Sequence, residues 1–86
     1  MNKQWYVYKI TFSDSTFYIG YRGTSSIIED DFLIKYFSSS KTVKQRIKSS
    51  ETYSGEILHI FDNQEDAYDK EQEIIFELFE NPLIIN

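Results

Sequence analysis

Four side chains set the chemistry this chain can offer: Tyr8, Tyr18, Arg22 and Glu71. Tyr18 and Arg22 share the stretch Phe17-Tyr18-Ile19-Gly20-Tyr21-Arg22-Gly23-Thr24, which also holds two of the three glycines and one of the two arginines. Aromatic residues favour a strand, and a glycine inside a strand marks a place where another group comes close to the backbone. The arginine near its end is a fixed positive charge with a planar fork of donors, suited to phosphate oxygens. Other chemistries are closed off. There is no cysteine, hence no thiolate metal site, disulfide or nucleophilic thiol, and the single histidine, His59, excludes a multi-histidine metal centre. Any metal is then a hard cation on carboxylate oxygen. A carboxylate, tyrosines and an arginine suit metal-assisted cleavage of a phosphodiester.

The elements that must position these groups can be read in order. Residues 5–12, Trp-Tyr-Val-Tyr-Lys-Ile-Thr-Phe, are dense in β-branched and aromatic types and form a first strand, with Tyr6, Tyr8, Ile10 and Phe12 on one face. Ser13-Asp14-Ser15 is turn chemistry, and residues 16–21 make the second strand. A three-residue loop pairs Tyr8 with Gly20, Tyr6 with Arg22 and Ile10 with Tyr18. Cross-strand partners point the same way, so all six share one face of the hairpin. Gly20 then keeps the space opposite Tyr8 clear for a phosphate.

Residues 23–26 read as a loop, Glu29-Asp30-Asp31 as an exposed acidic patch, and residues 32–37 as a short apolar element. The serines at 38–40 can cap a helix over 41–48, whose Val43 and Ile47 face inward and whose Lys41, Lys44, Arg46 and Lys48 cover the rest. Residues 53–61 form a third strand, with Ile57, His59 and Phe61 alternating against Glu56, Leu58 and Ile60. A last helix, capped by Asn63 with Asp66, spans 64–79 and stops ahead of Pro82. At about 100° per residue, Ala67, Ile74, Ile75, Tyr68, Leu78 and Phe79 make an apolar stripe about 140° wide, and Glu71 falls near its centre. A carboxylate there is costly unless it is paired or bound to a cation. The expected class is α+β: one domain over residues 1–86, a small three-stranded antiparallel sheet flanked by helices.

Eighty-six residues suit one domain. Seven Phe, seven Tyr and one Trp supply its core. No apolar run approaches the ~18 residues of a membrane span, and the expectation is an intracellular protein. The net charge of −5 is unevenly divided. Residues 1–48 carry eight Lys or Arg against four acids, and residues 49–86 carry one Lys against ten acids. The average argues against nucleic acid, whereas the asymmetry leaves a basic face for it.

Tyr6-Val7-Tyr8, then Tyr18-Ile19-Gly20 ten residues after Tyr8, then Glu71 in a late helix resemble the GIY-YIG nuclease superfamily. Tyr36-Phe37-Ser38-Ser39-Ser40-Lys41, Glu56-Ile57-Leu58, Phe61-Asp62 and Glu71-Gln72-Glu73-Ile74 extend the likeness toward catalytic domains of bacteriophage homing endonucleases. The first motif is degenerate, since Tyr6-Val7 stands where the family name has Gly-Ile; the second is intact. The resemblance covers nearly the whole chain. It implies hydrolytic cleavage of double-stranded DNA with one divalent cation per site, Mg2+ or Mn2+, held by Glu71. By matching position, Tyr8 acts as general base or orients the attacking water, Tyr18 assists it, and Arg22 stabilises charge on the phosphate. The family's arginine usually sits on the first helix, so Arg46 competes with Arg22, and Asn86 or Asn81 matches an asparagine that follows the last helix. Homing enzymes join such a domain to a separate DNA-binding region; within this chain Lys41, Lys44 and Arg46 are the expected nucleic-acid contacts. The competing expectations are a related fold that binds nucleic acid or protein without catalysis, and an acidic mimic of DNA.

Overall fold

The Ser13-Asp14-Ser15 turn folds β1 (Gln4–Phe12) onto β2 (Phe17–Thr24) in the computed structural model, which describes residues 3–86. Ser15 takes the left-handed conformation, at φ 73°, and the turn is closed by the Ser15 N–H on the Phe12 carbonyl and the Phe12 N–H on the Thr16 carbonyl. The register follows from that loop: Tyr6 pairs with Arg22, Tyr8 with Gly20 and Ile10 with Tyr18. The strand continues three residues beyond the expected end, through Arg22, Gly23 and Thr24.

β3 (Tyr53–Phe61) pairs antiparallel on the other side of β1, giving the order β2-β1-β3 and an α+β fold. The central strand is covered on both faces, and Tyr6, Val7, Tyr8 and Ile10 are all fully buried. Even-numbered β1 residues build one core with Ile28, Phe32 and Val43. Val7, Phe17, Ile19 and Ala67 build the other, beneath α3 (Gln64–Leu78). Strict alternation along β3 fails at one point. A bulge between the pairs Val7–His59 and Tyr8–Ile57 leaves Leu58 extra, so Ile57 joins the tyrosine core while Leu58 and Phe61 join the helix core.

The segment between β2 and α2 (Lys41–Lys48) departs furthest from expectation. Ile28–Asp31 forms a single helical turn, α1, and residues 32–37 form turns closed by a Phe32–Tyr36 bridge. Asp31 is 1% exposed and belongs to no surface patch. The end caps are as read: the Ser40 hydroxyl accepts the Val43 N–H, and the Asn63 carboxamide oxygen accepts the Asp66 N–H at 2.8 Å.

The outer edge of β2 is closed by the chain's last residues. Phe17 donates to the Leu83 carbonyl and accepts from the Ile85 N–H, both at 2.9 Å, in a parallel bridge with Ile84. Asn86 then accepts the Ile19 N–H at 2.9 Å and donates to its carbonyl at 2.6 Å. An edge that would otherwise template strand pairing is occupied.

Candidate active site

The pairing of β1 with β2 gathers the tyrosines. Gly20 lies directly opposite Tyr8, and the Tyr8 phenol fills the space over it: a Cβ at Gly20 would lie 2.5 Å from Tyr8 Cζ and 3.0 Å from Tyr18 Cε1. The glycine is therefore needed to seat the Tyr8 ring. That space is occupied by the phenol and is not an open approach for phosphate.

Tyr8 is enclosed by rings. Its centroid lies 5.1 Å from Phe32, 5.8 Å from Tyr36 and 6.2 Å from Tyr18. Its hydroxyl donates to Ser38 Oγ at 3.0 Å and lies 3.3 Å from the Tyr36 hydroxyl. Burial holds its pKa far above the ordinary phenol value, more than the Ser38 hydrogen bond lowers it. Tyr8 is thus a neutral phenol that fixes its neighbours. Ser38 receives this hydrogen bond in a left-handed backbone conformation, at φ 110°, and also accepts the Ser40 N–H. A non-glycine residue in that region carries backbone strain, a feature that gathers at functional sites.

Tyr18 is only half-buried and is the less enclosed phenol of the pair. Its pKa is raised, first by burial and next by the negative charge of Glu71. α3 packs on the Val7–Ile19 side of the sheet, so Glu71 does not rise from the face that carries Tyr8. It reaches the site around the edge of β2, close enough to the Tyr21 main-chain N–H for that donor to stabilise its charge. The carboxyl is half-buried, and burial raises its pKa in spite of the Gln72 hydrogen bond and the nearby Tyr21 main-chain N–H.

Arg22 reaches the tyrosine face and stops against Asp31. Its Nε donates to Asp31 Oδ2 at 3.2 Å and its Nη2 to Oδ1 at 3.3 Å, while the guanidinium lies 4.4 Å from the Tyr36 ring centroid. The Tyr6 hydroxyl donates to the same Asp31 oxygen at 2.7 Å. Burial raises the Asp31 pKa, but the Arg22 and Tyr6 hydrogen bonds and the Arg22 charge outweigh it and hold the carboxyl below its usual range. The Arg22 side chain remains 37% exposed. Nη1 has no hydrogen-bond partner among the described residues, so a donor is left for an anion.

Arg46 stands elsewhere. Its nitrogens are bound by Glu51, Thr16 and Asp14, and its guanidinium lies 4.0 Å over Phe12 at the hairpin turn. Every nitrogen of the fork is engaged, which makes it a clamp joining α2 to the turn and leaves no edge for a phosphate. Lys41 and Lys44 are exposed on α2. Asn86 bridges the Ile19 backbone beside the site, whereas Asn81 Oδ1 closes a turn with the Leu83 N–H.

The site residues that sequence reasoning passed over are Asp31, Tyr36 and Ser38. Tyr36 and Ser38 stood in the stretch that extends the family likeness but were given no role there, and the three-residue spacing of Asp31 from Ile28 puts it on that residue's side of the α1 turn.

A metal would depend on Glu71. No group of three His, Cys, Asp or Glu residues converges among the described residues, so no all-protein cage exists for Ca2+. A half-buried carboxylate with no basic partner among the described residues fits Mg2+ or Mn2+, which keep several waters and take one or two carboxylates together with substrate phosphate.

No family model matches this chain, and no solved structure matches it. Among curated proteins, Intron-associated endonuclease 2 of Enterobacteria phage T4 is 37% identical to it over 84 residues. The alignment takes in 94% of this chain and 31% of that protein. The chain is thus similar along nearly its whole length to a stretch of a phage endonuclease, and spans about a third of that protein.

Proposed function

We propose that this chain is the catalytic domain of a GIY-YIG-type endonuclease that hydrolyses phosphodiester bonds in DNA. The observation that carries the reaction class is the 37% identity to an intron-associated endonuclease. The local geometry supports the assignment of roles. Tyr18 contributes a neutral, half-buried phenol near enough to Glu71 to feel its charge, and Arg22 has an Nη1 without a hydrogen-bond partner among the described residues, on the same strand.

Glu71 would be the residue to hold Mg2+ or Mn2+. When bound there, such a cation would supply Lewis acidity and lower the pKa of a bound water. Tyr18 Oη orients the attacking water, by accepting from it or donating to it. Tyr8 takes a positioning part, since its buried phenol sets Ser38 and Tyr36. Arg22 Nη1 donates to the non-bridging oxygen on which charge develops as water adds at phosphorus and a P–O ester bond breaks. With two of its nitrogens bound to Asp31, the fork is pre-oriented and loses little freedom when it meets the phosphate.

The test is plasmid nicking with Mg2+. Arg22→Ala should lose about 10²–10³-fold in rate, the cost of removing one charge-stabilising donor. Glu71→Ala should abolish metal-dependent cutting, and wild-type nicking by Glu71→Ala would remove the metal assignment.

A second reading is a related fold that binds DNA without cutting it. Tyr6 favours it: a tyrosine stands where the family name has glycine, and its hydroxyl supports the carboxylate that engages Arg22. Salt-sensitive DNA binding without nicking in Mg2+ or Mn2+ would select it.

A further inference from the structure

A cavity of about 430 Å³ lies beside the tyrosine cluster, between the 35–39 segment and α2. Its apolar walls are Tyr36, Phe37 and Ile47, and Lys35, Lys44 and Lys48 stand on its rim. No carboxylate lines it, and none of these lysines forms an ion pair among the described residues. Three unneutralised cations around aromatic walls are an unfavourable place for an apolar peptide and a favourable one for a polyanion that carries flat rings. Its volume falls in the range of small-ligand sites, roughly 300–1,000 Å³, with room for one nucleotide and not for a helix.

The cavity adjoins the candidate active site. Tyr36 lines it and at the same time stacks under the Arg22 guanidinium and meets the Tyr8 hydroxyl. Ser38, also in its lining, receives the Tyr8 hydrogen bond. We propose that this cavity seats one nucleotide of a DNA strand, its base against Phe37 and Tyr36 and its flanking phosphates on Lys35, Lys44 and Lys48. The occupant is an unstacked nucleotide, since a space of about 430 Å³ takes one nucleotide and not a stacked pair of strands. Aromatic walls combined with a basic rim are how sequence-tolerant single-strand sites work. The proposal rests on the DNA reading above and extends the expected contact set. Lys35, Lys48 and Phe37 enter it, and Arg46, held by Asp14 and Glu51, leaves it.

Binding of the whole chain to a fluorescein-labelled oligothymidine in EDTA, followed by anisotropy across a salt series, tests this apart from cleavage. The variant Lys35→Ala/Lys44→Ala/Lys48→Ala should bind at least about tenfold more weakly. Its log–log salt slope should fall by about 2, the value for three phosphate contacts on a single strand. Phe37→Leu, which keeps an apolar side chain but removes the stacking face, should weaken binding about fivefold or more without changing that slope. Melting by circular dichroism identifies any variant that is merely unfolded. An unchanged slope in the folded triple variant, or wild-type affinity in folded Phe37→Leu, overturns the proposal. A protein that binds as expected yet cuts nothing with Mg2+ or Mn2+ overturns the nuclease reading and leaves the cavity assignment standing.

Discussion

Arg22 is informative because its partner explains it. A lone arginine at the end of an edge strand would sample many rotamers; this one is forked onto a carboxylate that is 1% exposed and shared with Tyr6. Breaking a hydrogen-bonded charge of this kind costs about 2–3 kcal/mol. Asp31→Asn is therefore expected to lower stability by that amount at neutral pH and to slow any Arg22-dependent cleavage. The sign of the pH effect follows from the depressed Asp31 pKa. Its stabilising contribution is complete above the unfolded carboxylate value, ~3.9, and is lost as pH falls below that toward the folded value. Asp14, also depressed by Thr16 and Arg46, adds to the same acid limb. Glu71, whose pKa is raised, works the other way and favours the fold as it protonates. Urea titrations from pH 6 to 3 should thus give a flatter acid limb for Asp31→Asn than for the parent, and parallel limbs would show that Asp31 is not ionised in the fold. The acidic triplet Glu29-Asp30-Asp31 concealed this role, because three consecutive acids look like solvated surface and only a helical turn separates the third from the other two.

At the scale of elements, sequence reasoning was strongest where geometry is local. A three-residue turn admits one parity, so the hairpin register and the meeting of Tyr8, Gly20 and Tyr18 could be read directly. It was weakest where an extra residue hides in a uniform run. Ile57 and Leu58 are both apolar, and nothing in their types tells that one of them is bulged. Periodicity likewise put Glu71 near the apolar stripe of α3 but could not say which face of the sheet receives that stripe. The β2 edge was the least legible element, because its closure depends on residues more than sixty positions away. Asn86→Ala would free both Ile19 backbone groups, at a cost of about 1–2 kcal/mol. It should also remove protection of the Ile19 amide in hydrogen exchange and raise self-association through the opened edge. Wild-type protection of that amide would mean that the tail is held by the Phe17 bridge alone.

The cavity lysines and the exposed acids of α3 stand on opposite faces of the sheet. The tyrosine face carries the cavity lysines and Arg22, and the opposite face carries α3, whose exposed acids include Asp69 and Glu77, with Glu80 just beyond. The molecule measures 37 × 28 × 18 Å, and the two faces stand on the order of 20 Å apart, two packing layers of ~10 Å each. At that separation one charge pair in water is worth about 0.2 kcal/mol before screening. The Debye length is ~8 Å at 0.15 M salt and ~30 Å at 0.01 M, so the acidic face is almost invisible to DNA on the basic face in the first condition and felt in the second. Summed over three acids and several phosphates, the repulsion at low salt amounts to roughly 1 kcal/mol, or about fivefold in affinity. The variant Asp69→Asn/Glu77→Gln/Glu80→Gln is expected to bind DNA about fivefold more tightly than the parent at 0.01 M salt and equally well at 0.15 M. The comparison separates two geometries. A gain that persists at 0.15 M requires α3 to lie within a Debye length of the DNA, which would put the duplex against the Glu71 edge and not over the lysine cavity. A gain confined to low salt is what a strand held on the tyrosine face requires, with α3 turned away from it and only the Glu71 end of that helix reaching round the edge of β2.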